Sequence, residues 1–159
     1  VQSLIGRVAA LNTFISKSTD KCFPFYNLLR GNKEFEWIEE CKRSFLDMKA
    51  HLAEPPVLSK PTAGEPLFLS LAVTGDATSA VLVREEDRVQ KPVYYISKRL
   101  LGDESWYPLM EKLAFYLITD SRKLRLYFQS HSIHVMTDQP LRQVLQKPET
   151  SGRLLKWAI

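Results

Sequence analysis

Cysteine is scarce in this sequence, which argues against a disulfide framework or a cysteine-based metal site. Cys22 and Cys41 are the only cysteines among 159 residues. They form no CxxC pair, and no histidine lies near them at the spacing of a zinc site. We therefore expect two reduced, partly buried thiols, as is usual in an intracellular compartment.

Long apolar runs are also missing. No stretch approaches the roughly 20 apolar residues needed to cross a bilayer, so we predict no membrane partner. The opening residues, VQSLIGRVAALNTFI, lack the charged segment and cleavage site of a secretory signal, and there is no initiator methionine. We expect the chain to be excised from a longer polypeptide.

Acidic residues are outnumbered by basic ones. The 22 Lys and Arg against 18 Asp and Glu give a net charge of +4. Lys and Arg neutralise phosphates and release counterions, so this balance mildly favours a polyanionic partner such as nucleic acid. The 45% hydrophobic and 25% charged residues are ordinary for a folded domain and argue against disorder.

Two sets of apolar residues recur at helical spacing in the first third of the chain. The first set predicts a helix that ends within residues 16–20, and the second predicts a longer helix ended by the prolines at 55 and 56. Between them, CFPFYNLL is a short apolar stretch that stops at Gly31, and Glu39 and Arg43 predict a surface ion pair. The two sets are Leu4, Val8, Leu11 and Ile15, and then Trp37, Cys41, Phe45, Met48 and Leu52.

Prolines then mark a boundary. Residues 54–66 carry four prolines and one glycine, which is typical of a connection between two units. We therefore divide the chain into a helical segment, residues 1–60, and a strand-rich domain, residues 61–159.

The second unit begins with three strand patterns, LFLSLAV, SAVLVREE and VQKPVYYISK. Residues 74–78 join the first two, and Asp87 and Arg88 form the second turn. Pro92 predicts an edge position or a bulge in the third strand. A helix over residues 108–128, the strand SIHVMTD, the short helix PLRQVLQ and a helical start in SGRLLKWAI follow. This order of strands and helices predicts a fold of the α/β class, with mixed α+β character.

Several landmarks in one order now resemble a known family. LNTFISKSTDKCFPFYNLL, FEWIEECKRSFLDMKAHLAEPPVLSKP, AVLV, PVYYISK, YPLMEKLA, LRLYF and VMTDQPL resemble the pol polyprotein of gypsy-type LTR retrotransposons, with plant elements the most similar. The resemblance identifies residues 1–60 as the thumb or connector of reverse transcriptase. It identifies residues 61–159 as an RNase H-like domain truncated before its last strand and helix. It implies three antiparallel strands, with a later strand beside the first.

The resemblance also implies where catalytic acids should lie. Active relatives bind two divalent metals through acids on strand one, on the long helix and at the end of the fourth strand, because hard cations need oxygen ligands. Alignment by the AVL tripeptide places the first position at Ala72, and the Glu111-Lys112-Leu113 triplet places the second at Leu113. Only the third acid, Asp138, is retained. We therefore predict no bound metal or cofactor and no nuclease activity.

Two alternatives remain open for the acids. Asp138 suits an N-cap of the helix that begins at Pro140 as well as it suits a metal ligand. In an active nuclease, Asp76, Asp120 or Glu111 would have to replace the missing ligands around Mg²⁺ or Mn²⁺.

An inert domain of this family still has a role that the resemblance implies. In retroviral reverse transcriptases a degenerate copy, the connection, links polymerase and nuclease domains and helps hold the duplex. We expect this chain to contact those neighbouring domains and the backbone of an RNA/DNA hybrid, in the cytoplasm and in virus-like particles. Candidate phosphate contacts are Lys98, Arg99, Arg122, Lys123, Arg125 and Arg142.

Each of these cations is also compatible with an ordinary solvated surface. The tryptophans Trp37, Trp106 and Trp157 lie on or beside apolar stripes, which favours packing over base stacking. His131 and His134 are interpreted as ordinary residues at the edge of a strand. A repurposed protein-interaction domain without a nucleic-acid role is the remaining alternative.

Overall fold

The structure is a computed structural model that describes residues 2–11, 15, 18–30, 37–54, 57–75 and 77–146. The turn residue Asp76, Trp157 and the helical start predicted at residues 151–159 lie outside the described residues. The described elements, in chain order, are α1 (Gln2–Ala10), α2 (Ser18–Arg30), α3 (Glu39–Ala53), β1 (Leu67–Val73), β2 (Ala77–Glu86), β3 (Val89–Arg99), a 3₁₀ helix (Gly102–Trp106), α4 (Leu109–Lys123), α5 (Arg125–Ser130), β4 (Ile133–Met136) and α6 (Leu141–Gln146).

The prediction for the first helical segment, residues 1–60, is wrong in one respect, because the segment contains a helix, α2, that the sequence pattern did not predict. The predicted first helix ends at Ala10 rather than within residues 16–20, and that polar run instead begins α2 at Ser18. Pro24 lies inside α2, where a proline costs about 3 kcal/mol by removing a backbone hydrogen bond. Complete burial of Phe25 and near-complete burial of Cys22 offset this cost.

The three N-terminal helices share one apolar cluster, which includes both cysteines. Cys22 and Cys41 are free and buried, as predicted. Burial raises the pKa of the Cys22 thiol to about 11 and raises the pKa of Cys41 as well, so both stay protonated. Helix α3 ends at Ala53, before the paired prolines. On its surface Glu39 pairs with Lys42 at 3.8 Å rather than with the predicted partner, Arg43.

The sheet has the predicted topology. Its strand order is β3-β2-β1-β4, with β1, β2 and β3 antiparallel and β4 parallel to β1. Strand β4 thus lies beside strand one although the 3₁₀ helix and two helices separate β3 from β4 in sequence. This arrangement brings the carboxyl ends of β1 and β4 to one edge.

Local chemistry explains the details of β3. Asp87 and Arg88 have φ values of 53° and 62°, which fit a tight two-residue hairpin turn and confirm the predicted one. The β2–β3 register shifts at Val83, which pairs with Pro92, so the proline lies at an irregularity of an edge strand, as predicted. Its carbonyl accepts a hydrogen bond from the amide of Ser59 at 2.7 Å.

Helices cover one face of the sheet. Leu67, Leu69 and Leu82 are fully buried there, and Leu124 is buried against them from the helical layer. The predicted single helix over residues 108–128 is wrong, because the chain breaks at Leu124 between α4 and α5. Leu124 has φ −93° and ψ 20°, and the break directs its side chain into the core.

The N-terminal helices contact the sheet through α2. The amide of Thr19 donates to Oγ of Ser97 at 3.0 Å. The guanidinium of Arg99 lies over the ring of Phe23 at 5.1 Å and over the ring of Tyr26 at 5.4 Å. These contacts join a helix to the edge strand β3. Within the described part of the chain, no helix is long and apolar enough to cross a membrane.

Candidate functional site

A cleft opens where β1 and β4 end beside the first turns of α4. It has a volume of about 360 Å³. The parallel pairing of β1 with β4 positions two of its walls, and α4 supplies the third. Five of its eight lining residues are apolar: Leu71, Val73, Leu109, Leu113 and Met136 line it together with Thr137, Asp138 and Gln139.

Two of the three predicted family positions meet in this cleft. Leu113 and Asp138 both line it. Leu113 is only 4% exposed and belongs to an apolar cluster with Ala114 and Leu141. Asp138 is exposed and is the only acid among the described residues of the lining. A pair of divalent metals brings about four positive charges, which a single carboxylate does not balance.

The third predicted position, Ala72, lies elsewhere. Successive side chains of a strand point to opposite faces, and Leu71 and Val73 take the face of β1 that lines the cleft. Ala72 is exposed and borders a shallow groove on the other face with Ser70 and Ser79. Its assignment as the family position stays a prediction. Residues 71–73 contain no acid, so strand one brings no carboxylate to the cleft whichever of these positions corresponds.

Asp138 does not make the predicted cap. The hydroxyl of Thr137, rather than the carboxylate of Asp138, accepts the amide hydrogen of Gln139 at 3.1 Å. A hydroxyl two residues before an amide forms this kind of turn readily. The amide of Leu141 is bound by the carbonyl of Gln139 at 2.7 Å. The Asp138 carboxylate is thus left at the rim of the cleft.

The proposed replacement ligands do not rebuild a metal site. Within the described ranges, no three His, Cys, Asp or Glu side chains come close enough together to hold a metal ion. Neither Glu111 nor Asp120 lines the cleft, and Asp76 lies outside the described residues. The side chains present here therefore do not fit the two-metal centre that the family resemblance implies.

Asp120 is a buried acid two helical turns beyond Leu113, about 10 Å further along the axis of α4. It is 3% exposed, and Oδ2 of its carboxylate has no hydrogen-bond partner. Burial raises its pKa to about 6, against the opposing effect of Lys123 and Lys98. Its place is the core beneath the helix, not the cleft.

Lys98 has contacts within the chain, although the sequence made it a candidate phosphate contact. Its ammonium lies 3.5 Å from Oε1 of Glu104 and over the rings of Phe115 and Tyr116, at 5.8 and 5.4 Å. The hydroxyl of Tyr116 donates to Oε2 of Glu104 at 2.7 Å. Burial has the largest effect and raises the pKa of Tyr116. The hydrogen bond to Glu104 raises the pKa further, so the phenol stays protonated. The sequence reading missed Glu104, which lies on the 3₁₀ helix.

The other predicted cations divide into two groups. Arg99 is held between the rings of α2, as described above. Arg122, Lys123 and Arg125 are exposed along the end of α4 and the start of α5, and Arg142 is exposed on α6. The structure therefore places Arg122 and Arg125 on one groove, and it gives Lys98, Arg99 and Lys123 contacts with aromatic rings of the chain.

The tryptophans and histidines behave differently from one another. Trp37 is partly exposed but stacks on Phe25, with ring centroids 5.8 Å apart, in agreement with a packing role. Trp106 is 86% exposed and is not part of the described core. His131 contacts the carbonyl oxygen of Glu65 through Nδ1 at 3.0 Å. His134 stacks on a strand-one phenylalanine.

Comparisons with known proteins agree with this fold. A retrovirus-related Pol polyprotein from transposon opus of Drosophila melanogaster is 31% identical over 99% of this chain, which spans 17% of that polyprotein. The Gag-Pol polyprotein of feline leukemia virus is 26% identical over 93% of this chain, which spans 9% of it. The solved foamy viral protease-reverse transcriptase in complex with RNA/DNA hybrid superposes with a TM-score of 0.68 at 20% identity, covering 98% of this chain and 22% of that one.

A family model decides the assignment. The model of the RNase H-like domain found in reverse transcriptase matches residues 37–135, which include α3, strands β1 to β3, α4 and the first three residues of β4. The chain spans only 9% and 17% of the length of these two polyproteins. This chain belongs to the family of RNase H-like domains found in reverse transcriptases.

Proposed function

We propose that this chain is a noncatalytic segment of a retroelement pol polyprotein, of the connection type, which joins polymerase and nuclease domains and helps hold an RNA/DNA duplex. One observation carries the proposal: the cleft at the ends of β1 and β4 is lined by five apolar side chains and a single acid, Asp138. A two-metal mechanism needs several converging carboxylates.

The division of the chain supports the same proposal. We assign residues 1–60 to the thumb or connector and residues 61–159 to an RNase H-like domain. The apolar cluster of α1, α2 and α3 lies entirely before residue 54, and the clusters around the sheet lie entirely after residue 66.

Within the family, we assign the chain to gypsy-type elements similar to those of plants, acting in the cytoplasm within virus-like particles.

Exposed cations support a role in holding a duplex. The foamy viral relative was solved with an RNA/DNA hybrid, and the present chain has the same fold. Its net charge is +4, and Arg122, Lys123, Arg125 and Arg142 are exposed. Phosphate contacts need only clustered Lys and Arg and do not require an intact catalytic cleft.

A cleavage assay tests the inert cleft. The purified chain is incubated with an end-labelled RNA/DNA hybrid and 5 mM Mg²⁺ or Mn²⁺, about the concentration at which two-metal nucleases work, beside a catalytically competent RNase H. We expect no cleavage above background. Cleavage by the wild-type chain that Asp138→Asn abolishes would establish an active nuclease and refute the proposal.

Hybrid binding is measured in the same preparation. Fluorescence anisotropy at several salt concentrations should show an affinity that falls by about 0.9 log units per phosphate contact for each tenfold rise in salt. Absence of binding, or binding that does not respond to salt, would remove the duplex-holding role.

One observation favours a second candidate, a protein-interaction domain. Trp106 is 86% exposed, Leu101 59% and Leu109 49%, and all three lie on or next to the connection from β3 to α4. Exposed apolar groups of this size are typical of interaction surfaces. Trp106→Ser would weaken binding to a neighbouring polyprotein domain in this case and leave hybrid affinity unchanged.

A further inference from the structure

A surface groove lies at the break between α4 and α5, about 400 Å³ in volume. We call it the elbow groove. It is separate from the cleft that contains Asp138, and the two share no lining residue. Its lining consists of Ser121, Arg122, Arg125, Phe128 and Gln129.

The backbone at the break fixes the shape of this groove. The carbonyl of Leu124 accepts hydrogen bonds from the amides of Tyr127 and Phe128, at 2.9 and 3.1 Å, so α5 starts a new turn directly after the break. Phe128 packs against the main core cluster around the buried side chain of Leu124. Its ring is therefore a fixed part of the groove, because a side chain packed in a core has little rotamer freedom.

The polar groups in the groove suit an anion. Arg122, Arg125 and Gln129 are exposed and present N–H donors, while the hydroxyl of Ser121 already donates to the carbonyl of Ile118 at 2.8 Å. Among the described residues that line the groove, none is an acid. Asp120, the neighbour of Ser121 in sequence, is only 3% exposed.

Arg122, from the last turn of α4, and Arg125, the first residue of α5, line the same groove. Planar guanidinium groups bind phosphate oxygens through paired N–H donors. Phe128 beside them offers an apolar face that suits a sugar or a base.

We propose that the elbow groove binds one phosphodiester of a nucleic-acid strand, with Arg122 and Arg125 donating to its nonbridging oxygens and Phe128 against the adjoining nucleoside. This inference rests on the proposed function and makes it more specific. It places phosphate binding at the end of α4 rather than on β3.

The test compares two variants of equal charge. Arg122→Gln combined with Arg125→Gln removes both guanidinium groups of the groove, and Arg43→Gln combined with Arg88→Gln removes two exposed charges elsewhere. Affinity for a labelled RNA/DNA hybrid is measured from 50 to 300 mM KCl, about the range over which phosphate contacts respond. We expect the groove variant to lose roughly 10- to 100-fold at 100 mM KCl and to lower the salt slope by about 2. The control variant should lose less than about threefold.

The outcomes separate this inference from the proposed function. If the wild-type chain binds with a clear salt slope and both variants bind alike, the elbow groove is refuted and the duplex-holding role stands. If the wild-type chain does not bind, the proposed function fails first.

A third arm distinguishes a strand phosphate from free phosphate. Inorganic phosphate at constant ionic strength should leave the Tm of the wild-type chain unchanged. A rise in Tm that the groove variant lacks, without any difference in hybrid affinity, would assign the groove to free phosphate and overturn the inference. Thermal unfolding of both variants checks that these exposed substitutions leave the fold intact.

Discussion

Leu113 and Asp138 line the same cleft, one from α4 and the other from the end of β4. The family resemblance predicts that two acids meet here in a metal-dependent relative. In this chain a nearly fully buried leucine and the only carboxylate among the described lining residues share the cleft. A buried leucine contributes about 1.5–3 kcal/mol of burial, whereas two carboxylates without metal would repel each other and raise each other's pKa.

Restoring an acid at this position should destabilise the chain. Leu113→Glu loses apolar burial and buries a carboxylate, so we expect a loss of at least about 3 kcal/mol at pH 7. Burial raises the folded-state pKa of the new group above its unfolded value, so the loss should grow as pH rises from 4 to 8, roughly the span of that titration. Urea unfolding at several pH values measures it.

Leu113→Met is the matched control and should cost less than about 1.5 kcal/mol. If Mn²⁺ raised the Tm of L113E and left wild type unchanged, the cleft would retain metal-binding geometry. That outcome would support Leu113 as a lost ligand position, whereas equal stability of L113E and L113M would contradict the predicted loss.

Asp120 should make stability depend on pH. Folding raises the pKa of its carboxyl group from 3.8 to about 6, and burial is the main cause. The folded state therefore holds the proton more tightly, and the free energy of unfolding falls as pH rises from about 4 to about 6. The loss amounts to about 3 kcal/mol at most, and Asp120→Asn should remove most of this dependence.

The measurement for Asp120 is a series of unfolding curves from pH 4 to pH 8, about the span of its titration. Asp47→Asn changes an exposed acid on α3 and serves as the control. Equal pH dependence in the wild type and in D120N would show that another group is responsible.

Tyr116→Phe should lower the stability of the chain, because it removes a contact between α4 and the segment that joins β3 to α4. The substitution removes the hydroxyl that donates to Glu104 at 2.7 Å from a fully buried ring. The loss of a buried hydrogen bond to a charged group costs about 1.5–3 kcal/mol. Tyr95→Phe, in which a partly buried tyrosine on β3 loses its hydroxyl, should have a smaller effect, and a comparison of their unfolding midpoints tests this.

Arg99→Met should affect stability and not duplex binding. The guanidinium lies over Phe23 and Tyr26, and two such contacts contribute about 1–2 kcal/mol when partly shielded from water. Hybrid affinity should change less than about threefold, since the cation already has partners within the chain. An affinity loss as large as that of the elbow-groove variant would return Arg99 to the phosphate contacts.

The first three strands of the second unit could be predicted from the sequence. β1, β2 and β3 begin and end within two residues of their predicted bounds, because alternating or continuous apolar runs bounded by turn residues specify strands locally. Helix α2 was not recognised, since its internal proline opposes a helix and only burial against α1 and α3 compensates for it. The break at Leu124 was missed for a related reason: helical spacing continues through it, and the core selects the break.

The sequence by itself determined which residue types could reach the cleft, and therefore that residues 71–73 and Leu113 supply no carboxylate. Only the tertiary structure decided that Ala72 lies on the opposite face of β1, that Thr137 rather than Asp138 accepts a backbone hydrogen bond before α6, and that Lys98 and Arg99 have partners within the chain. The physical reason is that composition and spacing constrain chemistry locally. The partner of a charged side chain depends on elements far apart in the chain, such as Glu104 for Lys98 and Phe23 for Arg99.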